Sequence, residues 1–174
     1  MLKFLIGAIT ILLFSVQAYS SPVAFSFKLG ADFFNYTRDN NYLDMGVAYF
    51  AEIQKGMEFE LSGDFALITR NFSNTVIPVF FLPVNAGLNF TFPVENFTFL
   101  VGFGLSPLFQ IDNGDPGYFR FYIGPFIKTG MRLKVHELMQ WFIDVQQDIL
   151  IGSPAWINNA TLISTGLHFS FGTN

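Results

Sequence analysis

The sequence predicts an all-β fold, an eight-stranded antiparallel up-and-down transmembrane β-barrel that follows an N-terminal signal peptide. Three observations lead there. Apolar and polar residues alternate with a period of two through segment after segment, the signature of strands with one greasy and one polar face. Mean hydropathy is +0.42 and there are 24 Phe, yet no segment beyond the first twenty residues stays apolar long enough for a spanning helix. The links between segments are alternately long and short, as hairpins of a membrane barrel are.

Residues 1–20 read as the signal peptide. Lys3 supplies a positive start, residues 4–16 form an apolar run too short to cross a bilayer, and Ala18-Tyr19-Ser20 offers small residues for cleavage. Residues 21–174 then form one barrel domain. Without Lys3 the chain has eight basic against thirteen acidic residues, a charge of −5, which argues against nucleic acid as a partner. An exported chain with no cysteine must also fold without disulfides.

The first strand is expected over residues 23–34. Val23, Phe25, Phe27, Leu29, Ala31 and Phe33 share one face, and Ala24, Ser26, Lys28, Gly30 and Asp32 share the other. A polar loop follows at 35–41. The second strand, 42–53, sets Leu43, Met45 and Val47 against Asp44, Gly46 and Glu52, and a tight turn at 54–56 leads into the third. That strand, 57–67, opposes Phe59, Leu61 and Phe65 to Glu58, Glu60 and Asp64. After a loop at 69–75 the alternation fails. Residues 76–82 are apolar on both faces, and Pro78 and Pro83 cannot donate to a ladder, which predicts a rim or bulge there. Order returns from Val84 to Phe92, and 93–96 is a short turn.

The fifth strand, 97–106, places Phe97, Phe99, Val101 and Phe103 opposite Thr98, Gly102 and Gly104. The loop at 110–117 carries Asn113-Gly114-Asp115-Pro116-Gly117. The sixth strand, 118–134, is the longest, with Phe119, Phe121, Ile123 and Ile127 against Arg120, Lys128, Arg132 and Lys134. After a turn at 135–138, the seventh strand, 139–151, opposes Trp141, Ile143 and Val145 to Asp144 and Gln146. A last loop at 152–159 precedes the eighth strand, 161–171, which is expected to close the barrel on the first, because so long an unpaired edge would aggregate.

Charge decides which face meets lipid. Lys28, Asp44, Glu52, Glu58, Glu60, Asp64, Arg120, Lys128, Arg132, Lys134 and Asp144 all fall on the polar face. A basic side chain at the bilayer midplane costs about 2–4 kcal/mol, so these residues must line the interior. Aromatics gather at the end that bears the short turns (Phe25, Phe27, Phe90, Phe92, Phe97, Phe99, Trp141, Phe169 and Phe171), the position of an interfacial girdle on the periplasmic side.

The stretch Thr165-Gly166-Leu167-His168-Phe169-Ser170-Phe171 resembles the C-terminal insertion signal of outer-membrane β-barrel proteins, carried here by Gly166, Phe169 and Phe171. The usual form ends on an aromatic, whereas this chain continues with Gly172-Thr173-Asn174. In size and layout the chain is similar to the small eight-stranded barrels of the OmpX, OmpA-domain and OmpW kind. The resemblance implies an outer-membrane location, contact with outer-membrane lipids and handling by the barrel-assembly machinery during insertion.

Function is less legible. A barrel of eight strands is just wide enough for its own side chains to fill it. A salt-bridged interior with a structural or surface-interaction role is the first reading; the surface ligand is not readable. The second is a narrow channel for small solutes, apolar ones included, as the OmpW resemblance implies and as the inward glycines at 30, 46, 87, 102, 104, 124, 130 and 166 would allow by leaving room for water. His168 and Ser170 with Glu58 or Glu60 could form an acyl-transfer site, and His-x-Ser resembles the lipid A deacylase barrels; Phe171 stands where an asparagine is expected, and no catalytic role is assigned. A soluble lipocalin-like carrier would want Gly-x-Trp in its first strand, where Gly30-Ala31-Asp32 stands. His136 and His168 lie far apart in the chain, and neither a metal nor a cofactor is expected.

Overall fold

The computed structural model describes residues 22–34, 41–72, 75–112, 118–153 and 156–171; the signal peptide expected at 1–20 and the terminal residues 172–174 lie outside them. Eight strands run in chain order: β1 (Val23–Phe34), β2 (Asn41–Gln54), β3 (Met57–Phe72), β4 (Thr75–Val94), β5 (Phe97–Asp112), β6 (Tyr118–His136), β7 (Met139–Ile151) and β8 (Ile157–Phe171). Each pairs antiparallel with the next, and β1 pairs with β8 from Val23↔Phe171 to Phe34↔Ala160, so the sheet closes without an edge.

Three hairpins at one end are two-residue turns. Gly56 takes φ 81° and Glu95 φ 53°, the left-handed conformations that tight hairpins demand. These turns also knit to the neighbouring strand: Thr91 N–H donates to the Gly56 carbonyl (2.9 Å), Lys134 N–H to Asn96 (2.8 Å) and Ser170 N–H to Leu138 (3.1 Å). Small register shifts between Glu52 and Gln54 and between Lys134 and His136 bend the strands into two of the turns.

The outer wall is apolar around its circumference. Phe27, Leu43, Val47, Phe103, Leu105, Ile127 and Ile163 all stand exposed on it. A monomeric soluble surface rarely exposes so continuous an apolar band, whereas a bilayer requires one. Near the short turns Phe25 meets Tyr49 and Phe171 at ring-centroid distances of 5.3 and 6.3 Å, and Phe27 meets Phe169 at 6.3 Å. The opposite rim has aromatics as well, Phe33, Phe119 and Trp156, the last 85% exposed. The sequence showed only the first girdle. One arginine inside the band tests this orientation. Ile127→Arg is expected to destabilise the barrel by about 2–4 kcal/mol in chemical unfolding from phospholipid vesicles, whereas Lys134→Arg, outside the band, changes it little.

The strands reach further outward than the alternation suggested. The loop expected at 69–75 is largely strand, since Thr69↔Pro78, Arg70↔Ile77, Asn71↔Val76 and Phe72↔Thr75 continue the β3–β4 ladder. The loop expected at 110–117 starts only after Asp112, and β8 begins at Ile157 inside the loop expected at 152–159. The bulge expected around Pro78 and Pro83 is also absent. Residues 79, 81, 83, 85 and 89 are buried in one unbroken phase, and the β4–β5 register is the same at Val79↔Asp112 as at Val94↔Phe97. The prolines interrupt hydrogen bonding but not pleating. Periodicity fails there for another reason: the inner face is itself apolar in the outer half of the barrel.

Candidate functional site

The barrel lumen is filled in layers. Outermost is an apolar plug built by inward residues of all eight strands, including Phe34, Tyr42, Phe81, Leu108, Tyr122 and Leu150. Phe81 is its centre, stacked on Phe34 at 4.4 Å and edge-on to Tyr42 at 4.5 Å. Tyr122 keeps its hydroxyl satisfied by donating to Gln110 Oε1 at 2.9 Å, so an amphipathic ring packs in the plug without an orphaned donor.

Beneath the plug lies a polar layer. Lys28 Nζ donates to Asp64 at 2.8 Å, and Asn85 Nδ2 donates to Asp64 Oδ2 and Ser62 Oγ, both at 3.2 Å. Gln146 Nε2 joins Asn85 Oδ1 (3.3 Å) to Asp148 Oδ1 (3.0 Å). Next come two trans-lumen ion pairs between β3 and β6. Lys128 donates to Glu60, which also accepts from Asn89 Nδ2 at 2.8 Å. Arg132 grips Glu58 with both nitrogens, at 3.0 and 2.8 Å, in the fork geometry that suits guanidinium and carboxylate. Its guanidinium lies 4.9 Å from the Phe50 ring centroid.

Six of the eleven charged residues expected inside thus meet as three pairs, the buried Lys28–Asp64 and Lys128–Glu60 and the partly buried Arg132–Glu58. The others stand apart. Asp44 is fully buried, and neither of its carboxylate oxygens has a hydrogen-bond partner among the described residues. Asp144 lies over Gly130 with one oxygen unpartnered. Arg120 stacks on Tyr118 at 4.1 Å near the outer mouth, half-exposed. Glu52 is half-exposed and Lys134 exposed at the short-turn mouth, because the ends of their strands project past the filled lumen; neither lies in the sealed interior that the alternation placed it in. Three further acids are buried, Asp32, Asp112 and Asp148. The signal was present, since they continue inward series two residues past Gly30, Gln110 and Gln146, and Asp32 already stood on the polar face of the first strand.

Gly46 and Gly102 give their space to inward polar side chains. A Cβ on Gly46 would collide with the Asp64 carboxylate, and one on Gly102 with the Asn89 amide, so polar side chains already lie across these glycines. His168 meets Ser26 across the β1–β8 seam, Nδ1 to Oγ at 2.9 Å, and packs edge-on to Phe50 at 5.1 Å. Glu58 and Glu60, the carboxylates that could have oriented it, are engaged by Arg132 and Lys128. His136 is exposed at the end of β6. Gly166 faces inward opposite Lys28, whereas Phe169 and Phe171 face outward in the girdle.

A closed eight-stranded barrel with charge sealed inside and an apolar belt outside defines an integral outer-membrane β-barrel protein of the small class, seated in the bacterial outer membrane. Solved structures of that class superpose on it. Neisserial surface protein A shares 11% identity over 88% of this chain and 98% of its own, with a TM-score of 0.71. Ail, the attachment invasion locus protein of Yersinia pestis, solved in complex with the heparin analogue sucrose octasulfate, shares 12% over 87% and 97%, with a TM-score of 0.61. The outer membrane protein OprG of Pseudomonas aeruginosa shares 9% over 88% and 97%, also at 0.61. At such identities the likeness is one of fold. No family model matches the chain, and no curated protein matches it in sequence.

Proposed function

We propose that this chain is a closed, non-conducting outer-membrane barrel whose role is structural or interactive, exerted through the loops that join its outer strand ends. The observation that supports this reading is a lumen blocked twice in series. The plug around Phe81 packs rings and aliphatic side chains across the lumen, and beneath it Lys128–Glu60 and Arg132–Glu58 tie β6 to β3 while Lys28–Asp64 joins β1 to β3. Handling by the barrel-assembly machinery, with Gly166, Phe169 and Phe171 as the insertion signal, belongs to the same reading.

Planar-bilayer recording tests it. The purified barrel is expected to show no steady unitary conductance in molar potassium chloride. Stepwise openings that change on substitution of Arg132 or Glu58 would refute the closed lumen and favour the narrow-channel alternative.

A further inference from the structure

We propose that the cavity at the short-turn end of the barrel is a binding site for a small zwitterion of about dipeptide size. The cavity encloses about 270 Å³ and is lined by Glu52 of β2, Glu58 of β3, Lys134 of β6, Glu137 of the β6–β7 turn, Gln140 of β7 and His168 of β8. It is blind. Phe50 forms part of its floor, with the Arg132 guanidinium and the His168 ring packed against it at 4.9 and 5.1 Å.

Its charges are what a filled lumen would not leave. Both oxygens of Glu58 are taken by Arg132. Glu52, Glu137 and Lys134 form no ion pair among the described residues, although all three face the same space. Their strands and turn hold them around the opening rather than against one another. Gln140 adds a buried Oε1 that accepts no hydrogen bond among the described residues. An ammonium group beside Glu52 and Glu137, a carboxylate on Lys134 and an N–H for Gln140 would use every one of these groups. The volume lies just below the range of about 300–1,000 Å³ for small-molecule pockets, which suits a ligand of two amino-acid residues, and Phe50 and Leu138 offer apolar surface to its side chains. Free charge of both signs also selects a zwitterion over a simple cation or anion, because each of those leaves one sign unanswered.

The test is a titration of the whole barrel, ¹⁵N-labelled in detergent micelles, with L-alanyl-L-alanine. Amides of Glu52, Gln140 and His168 are expected to shift saturably, and the N-acetylated and C-amidated dipeptides to give no saturable shift over the same range. Glu52→Gln and Lys134→Gln should each weaken binding about ten-fold, the ratio that 1.4 kcal/mol represents, as loss of one charge-assisted contact implies. Glu95→Gln, exposed in another turn, should leave it unchanged. Both test residues lie outside the filled lumen, so the rest of the amide spectrum should stay in place. An absent shift, equal response to the capped dipeptides, or undiminished affinity in both variants would overturn the proposal. The site opens away from the surface loops; a conducting barrel that still bound the dipeptide would remove the closed-lumen reading and leave this one intact.

Discussion

Lys128→Met is expected to lower the unfolding free energy by about 3–5 kcal/mol, and adding Glu60→Gln to it to recover most of that loss. The reasoning rests on what the substitution leaves behind. Lys128 and Glu60 are both almost fully buried and face each other across the lumen from β6 and β3. Bringing both charges out of water is costly, and their mutual attraction offsets that cost only while both are present. With Lys128 gone, Glu60 retains the Asn89 amide at 2.8 Å but loses its cation. Guanidinium unfolding of the vesicle-inserted barrel gives the two single variants and the double, and the cycle isolates the coupling. Simple addition of the two single losses would show that the pair does not matter as a pair.

Asp44 sets the opposite case in the same lumen. It is as buried as Glu60, yet neither of its oxygens meets a donor among the described residues. Asp44→Asn would exchange an uncompensated carboxylate for a neutral group of the same shape, and stability is expected to hold or rise in the same assay. Neutralising Glu60 alone would strand Lys128, whereas neutralising Asp44 strands no paired cation, so two inward acids on the adjacent strands β2 and β3 respond in opposite directions to loss of their charge. Their position in the alternation is identical; only their partners differ.

That contrast also marks how far the sequence could be read. Where one face was charged and the other apolar, strand limits came out as the structure has them: β1 at residues 23–34 and β7 at 139–151. Pairing across the seam could be expected from the need to close the edge, and β1 does pair with β8 along its length. The outer ends of β3, β4 and β5 were read as loop or bulge because Val79, Phe81 and Leu108 put apolar residues on the inner face too, and a period of two needs contrast to be seen. Nor does alternation say who meets whom across the lumen. Arg132 reaches Glu58 and Lys128 reaches Glu60 because of strand tilt and stagger, which bring together residues 74 and 68 positions apart. The mouth residues Glu52 and Lys134 share the inward phase with the buried pairs, and depth along the barrel axis, which no single strand encodes, separates them.

Phe81→Ala is expected to destabilise the barrel by about 3–5 kcal/mol without making it conduct. Phe81 is fully buried between Phe34 and Tyr42, with centroids at 4.4 and 4.5 Å, and its truncation removes the centre of the plug and not its rim. The surrounding rings are anchored on separate strands paired on both sides, so they can collapse only partly and a cavity remains. A cavity lined by Phe34, Leu108 and Leu150 stays dry, and ions would still face the ion-paired layer below it. The stability loss is read by guanidinium unfolding and the conductance by bilayer recording on the same preparation. Silence is expected from Phe81→Ala alone, and intermittent current only when it is combined with Arg132→Ala, which opens the second barrier. A current through Phe81→Ala by itself would mean that the charged layer leaks and that the aromatic plug alone keeps the lumen shut.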